Sequence, residues 1–136
     1  MDLYTNSLFI LTLLIALVVF QALVATIAHR KQAQYIPGVV DSKLDHHSFV
    51  FRSNRTFMNS LENVPLFILT ALIAMAIQVE ASALYWTSLV FTLARLVHTV
   101  LFYVIATNKN PSPRSYFFII GFFAQIYLLY LVFAAF

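Results

Sequence analysis

Apolar residues fill this chain in four long blocks separated by polar stretches. Residues 3–28 hold no Asp, Glu, Lys or Arg. The second block, 55–79, carries Arg55, Asn59, Glu62 and Asn63; the third, 84–106, is interrupted by Arg95 and His98; the fourth, 114–135, has no charge after Arg114. At ~1.5 Å per residue each block is long enough to cross a ~30 Å hydrocarbon core. The apolar character runs all round the blocks, and only a helix satisfies its own backbone polar groups in lipid. The pattern therefore predicts four transmembrane helices. The first run exceeds a signal-peptide core and is preceded by Asp2 instead of a basic residue, so it reads as a span.

The connections follow from the breakers. Residues 29–51 form the one long polar stretch, with Pro37-Gly38 as a turn signal and Asp41, Lys43, Asp45, His46 and His47 after it. Residues 80–83 leave room only for a tight hairpin. The stretch 107–113 (TNKNPSP) is a turn that places Pro113 in the first turn of the fourth helix. Short links between neighbouring spans make an all-α, integral membrane four-helix antiparallel bundle, with 1–136 as a single domain.

Composition agrees and narrows the function. Hydrophobic residues make up 62% of the chain and charged ones 10%, against ~25% charged in soluble domains. With no cysteine, neither a disulfide nor a thiolate metal site can form, and any thiol chemistry must use a substrate's sulfur. Arg30, Lys31, Lys43, Arg52, Arg55, Lys109 and Arg114 all lie on the first and third connections or their borders. That bias predicts both termini outside and the basic loops in the cytoplasm, at the inner membrane if the cell is bacterial. It also argues against a dual-topology multidrug transporter or a proton-coupled carrier relaying through Glu62 and His98. Nothing in the chain points to a nucleic-acid partner, and no phosphate-binding loop or hydrolase motif is present.

Polar residues inside spans carry the functional signal, because each charge costs roughly 2.5–3.5 kcal/mol at a helix centre unless it faces protein or water. Arg55, Asn59 and Glu62 follow i, i+4, i+7 and share one stripe; so do Arg95, His98 and Thr99. Counting from the membrane edge puts Asn59 and Glu62 level with His98 and Arg95. Arg114 and Ser115 open the fourth helix on the same side, where free N–H groups favour an anion. Three helices thus aim polar groups at one cytoplasm-facing cavity. Arg55, Arg95 and Arg114 outnumber Glu62, and the surplus suggests an anionic ligand. Two plainer readings stand beside it: a Glu62 ion pair with Arg55 or Arg95 that only fixes helix register, and lipid headgroups as the anions. His46 and His47 are adjacent and point apart, so no metal site is expected. Tyr103 and Tyr116 lie near the cavity, and Pro65 predicts a kink close to it.

At these residues the sequence resembles the MAPEG superfamily, the membrane-associated proteins in eicosanoid and glutathione metabolism. Arg55-Thr-Phe-Met-Asn59-Ser-Leu-Glu62-Asn63-Val-Pro65 is similar to its R-x-x-x-N-x-x-E-x-x-P signature. Ala94-Arg95-Leu-Val-His98-Thr99 is similar to the A-R-x-x-H-T segment of the microsomal glutathione transferase and prostaglandin E synthase branches. Asn110-Pro-Ser-Pro113-Arg114-Ser115 resembles the turn and arginine that open the family's fourth helix. The resemblance implies a homotrimer that binds glutathione between subunits. It implies Arg55, Asn59, Glu62, Arg95, His98 and Tyr116 as binding or site-supporting residues, and Arg30 as a reach toward a glutathione carboxylate of the adjacent subunit. Two positions depart from the pattern: Phe102 and Phe118 stand where tyrosines are common in the third helix and in the prostaglandin synthase branch's fourth helix.

The implied activity is that of a membrane glutathione S-transferase or glutathione-dependent peroxidase. Glutathione is the co-substrate, and a hydrophobic electrophile or lipid hydroperoxide arrives from the bilayer. Arg114 is the expected thiolate stabiliser and Ser115 a donor to the sulfur, since a nearby cation and a helix N-terminus lower a thiol's pKa. The alternative is a non-catalytic lipid-binding or scaffolding member of the same family.

Overall fold

In the computed structural model, which describes residues 2–136, the four expected helices form. They are α1 (Thr5–Arg30), α2 (Phe49–Ala76), α3 (Ala81–Val104) and α4 (Pro113–Ala134), preceded by a 3₁₀ turn at Asp2–Tyr4. All four are long and apolar enough to cross a membrane. No strand lies among the described residues, so the fold is an all-α four-helix bundle.

The largest difference from the sequence reading is the start of α2, at Phe49 instead of 55. Arg52 explains it. Its side chain reaches back to the carbonyls of His46 (2.8 Å) and His47 (3.0 Å) and across to that of Phe102 (3.0 Å). The first two anchor the incoming loop, and the third neutralises a carbonyl at the end of α3, where acceptors outnumber donors. The extra turn of α2 is thereby tied down at both sides. Beyond it α2 continues through Pro65.

The hairpin between α2 and α3 also sits earlier than 80–83. Gln78 takes a left-handed conformation (φ 62°). The Val79 amide returns to Ala74 O at 2.9 Å and the Gln78 amide to Met75 O at 3.2 Å, which is a Schellman stop. Glu80 then starts α3, its carboxylate accepting from the amides of Ser82 (2.9 Å) and Ala83 (2.6 Å). The Tyr4 hydroxyl donates to Val79 O at 2.7 Å and fastens the N-terminus to this turn.

The core follows from the buried faces. Phe67 and Phe91 stack with centroids 3.9 Å apart, surrounded by Leu14, Ala71, Ala74, Leu84 and Leu128, all fully enclosed. The outward faces of α1 and α4 present Phe9, Phe20, Phe123 and Phe133, as a lipid-facing surface requires. Helix α3 is the most enclosed of the four, and it carries the intramembrane polar residues. Arg95 Nη2 donates to Ser60 Oγ on α2 at 3.0 Å, and Gln21 Nε2 of α1 donates to Thr99 Oγ1 at 2.6 Å. These bonds set the relative height of α1, α2 and α3. Gly121 lies where α4 crosses α3, its Cα facing Ala94, Phe91 and the aliphatic stem of Arg95.

Candidate functional site at the basic end of the bundle

The ends of α2, α3 and α4 and the two basic loops line an open cavity of about 510 Å³, within the usual range for small-molecule sites. Its walls include Arg55 and Asn59 from α2, His98 and Phe102 from α3, and Arg114, Ser115 and Phe118 from α4. His46, Asn108, Lys109, Asn110 and Ser112 from the loops complete it.

Arg114 is the most constrained of these side chains. It is buried (5% exposed). Nε donates to Ser112 Oγ (3.2 Å), Nη1 to His46 Nδ1 (3.2 Å) and Nη2 to Thr107 O (2.7 Å). Its Cζ lies 4.3 Å from the centroid of Phe102, a cation–π contact. All of these partners are neutral acceptors. A guanidinium has five N–H donors, so two remain for an anion. Among the described residues the one salt bridge is Arg55 to Glu62, at 3.0 Å, so the cavity's other arginine has no carboxylate.

Ser115 is engaged differently. Its hydroxyl accepts from the Ser112 amide (3.2 Å) and donates to Asn110 Oδ1 (3.3 Å). It is the returning arm of the capping box that starts α4, with Pro113 in the first turn. The α4 N-terminus therefore faces the cavity with its dipole pre-set, which favours negative charge there.

His98 is enclosed, its ring tilted against Phe102 at 4.8 Å, and its Nδ1 has no protein partner. Asn59 Oδ1 is likewise buried and unpartnered. Buried polar atoms of this kind ordinarily find a partner, and both residues line the cavity.

A family model described as MAPEG matches residues 8–134. The chain belongs to the MAPEG family. It is an integral membrane protein of a family that contains glutathione transferases and related enzymes as well as members without enzymatic activity. Neither a curated protein nor a solved structure matches the chain.

Within this MAPEG chain the structure gathers Arg55, Asn59, His98, Arg114 and Ser115 around one cavity. Five other sequence-derived candidates lie elsewhere. Glu62 pairs with Arg55, both side chains about half exposed (51% and 43%), and does not itself line the cavity. Arg95 is enclosed behind the cavity wall on Ser60. Arg30 lines a separate cleft of about 250 Å³ between α1, α2 and the first loop, with His29, Tyr35 and Asn54. Tyr116 is exposed and outside the cavity lining. Tyr103 turns its ring to Phe49 at 5.5 Å and buries its hydroxyl without a partner.

Among the other wall residues, the sequence suggested neither Asn108 nor Ser112, and it brought up His46 only as a metal ligand to be set aside. Their loops meet through Asn108, whose Nδ2 donates to Asp45 Oδ2 (2.9 Å) while its Oδ1 accepts the His46 amide (3.2 Å). Burial and the neighbouring Arg114 hold the His46 imidazole below the ordinary 6.5. The bond from Asn108, then that from the His47 amide, holds the Asp45 carboxyl below 3.8.

Proposed function

We propose that this protein is a glutathione S-transferase or glutathione-dependent peroxidase that activates the glutathione thiol in the cavity beside Arg114. The observation that carries the reading is the geometry of Arg114. It is a buried guanidinium fixed by three neutral acceptors, with two donors left over, at a helix N-terminus. Such a site stabilises a thiolate over a thiol. Asn59 and His98 add polar side chains to the wall that would face the peptide part, and Arg55 suits one of its carboxylates. Phe118 and the exposed Ile119 form the lipid-side wall, through which an apolar electrophile reaches the sulfur.

As a transferase, the thiolate forms a carbon–sulfur bond and displaces the leaving group as an anion. As a peroxidase, two glutathiones reduce one hydroperoxide, giving the disulfide, an alcohol and water. The cavity opens at the basic end, which our reading places in the cytoplasm with both termini outside. The half-exposed Arg55–Glu62 pair lies too deep in α2 to face lipid at low cost. A homotrimer covers it and leaves Glu62's free lone pairs for the glutathione ammonium. It also brings Arg30 of one copy near the cavity of the next.

A second reading, lipid binding without catalysis, draws on Phe102 and Phe118, which put no hydroxyl where the cavity could polarise a substrate, and on Ser115, which is committed to its cap. One experiment separates the two. The purified protein in detergent is titrated with glutathione while thiolate absorbance near ~240 nm is followed, then assayed with an aryl halide and a lipid hydroperoxide. A saturable thiolate signal with turnover supports the enzyme. No signal and no heat of glutathione binding support the lipid binder.

A further inference from the structure

His46 is a loop residue, yet its place is fixed on every side. Its amide donates to Asn108 Oδ1 (3.2 Å), and its carbonyl accepts from Arg52 Nη1 (2.8 Å). Its ring meets Phe51 edge-on at 4.9 Å and Phe102 at 5.8 Å. What remains is Nδ1, 3.2 Å from Arg114 Nη1. A guanidinium has only donors, so Nδ1 accepts, the ring is neutral, and its proton sits on Nε2. Every cation around this ring disfavours a second proton: Arg114 from α4, and Arg52 and Arg55 from α2. His98 and Lys109 line the same cavity from α3 and the third connection. The loop itself adds His47 and Asp45; the Asp45 carboxylate, hydrogen-bonded to Asn108 and to the His47 amide, is the one neighbour that favours the second proton, and burial and Arg114 outweigh it.

We propose that His46 is the positioning residue of the thiol-activating arginine: its neutral ring holds Nη1 of Arg114 so that the remaining guanidinium donors face the cavity. The proposal rests on the thiolate reading above for what Arg114 does, though not for the contact itself. Protonation of His46 converts Nδ1 from acceptor to donor and sets a second cation against the guanidinium. The bond is lost, Arg114 keeps only Ser112 and Thr107, and its aim relaxes. The depressed pKa keeps that event below neutral pH.

The test uses the full-length protein in nanodiscs and three variants. His46→Asn keeps an acceptor oxygen and cannot titrate. His46→Leu removes the acceptor. Arg114→Ala removes the donor. At neutral pH His46→Leu should lose about tenfold in kcat with KM within about threefold, as befits one lost bond to a charged group, and His46→Asn should recover most of it. The ratio of wild-type to His46→Asn kcat, in which the thiol's own titration cancels, should fall as pH drops below the ordinary histidine range. A flat ratio, or an Asn variant as impaired as the Leu variant, overturns the proposal. The second readout needs no thiol: the His46 imidazole, titrated by nitrogen-15 NMR, should move to higher pKa in Arg114→Ala. An unmoved titration also overturns the proposal, even if His46→Leu fails to fold. A moved titration in a protein that gives no thiolate signal supports the contact and overturns the glutathione reading instead.

Discussion

The guanidinium of Arg95 on α3 donates to Ser60 Oγ on α2 at 3.0 Å, with no carboxylate bonded to it and only 1% of its surface exposed. A buried cation with one hydroxyl partner is strongly dependent on that partner. Ser60→Ala should cost roughly 1.5–3 kcal/mol, the range for a hydrogen bond to a charged group, read by unfolding in mixed micelles. Neither residue lines the main cavity, so glutathione affinity should stay within about twofold. A large loss of affinity with intact stability would make Arg95 a ligand contact and not a helix tie.

Arg114→Ala should lower kcat by roughly a hundredfold or more while KM changes much less, because the cation acts on charge that develops at sulfur. Steady-state kinetics with an aryl halide at saturating glutathione measures the split. Equal losses in binding and rate would reduce Arg114 to a carboxylate anchor.

The α2–α3 hairpin offers a matched pair of changes. Gln78 holds φ 62°, a conformation that costs ordinary residues roughly 1–2 kcal/mol and glycine almost nothing. Gln78→Gly should raise the unfolding midpoint. Glu80→Ala removes the acceptor for the Ser82 and Ala83 amides and should lower the midpoint, at a stability loss of about 0.5–2 kcal/mol. Thermal denaturation of each variant in the same detergent decides both.

The contact between the two basic loops should weaken on acidification in two steps. The folded pKa of His46 lies below 6.5, so its contribution is complete above that value and is lost as pH falls through the folded one. Asp45, held below 3.8 by Asn108, behaves in the same sense further down. Hydrogen exchange across residues 41–48 should accelerate along that course. Asn108→Ala, which deletes both loop contacts, should raise exchange roughly tenfold already at neutral pH.

The bundle was legible because a bilayer admits few alternatives: four mainly apolar stretches of adequate length leave little to decide. Helical spacing also brought Arg55, Asn59 and His98 to one level. Depth proved easier to read than azimuth. Tyr116 follows Arg114 by two residues, ~200° around the helix, and faces away from the cavity. Arg95 has the right height but is screened behind the wall, and Glu62 shares the stripe of Arg55 and pairs with it without lining the cavity itself. Gln21 passed unseen, a single amide in an otherwise apolar run, though it ties α1 to Thr99. The loops were the real blind spot. The path that carries His46 beneath Arg114 depends on Arg52 and Asn108, and no periodicity encodes it.

The carboxyl of Asp45 and the amide of Asn108 that join the two basic loops stand 63 positions apart in the chain. A nascent polypeptide with three helices inserted therefore possesses neither Arg114 nor the contact between the two loops. During biogenesis the cavity is completed only once the last segment has been threaded and the distant bends have met.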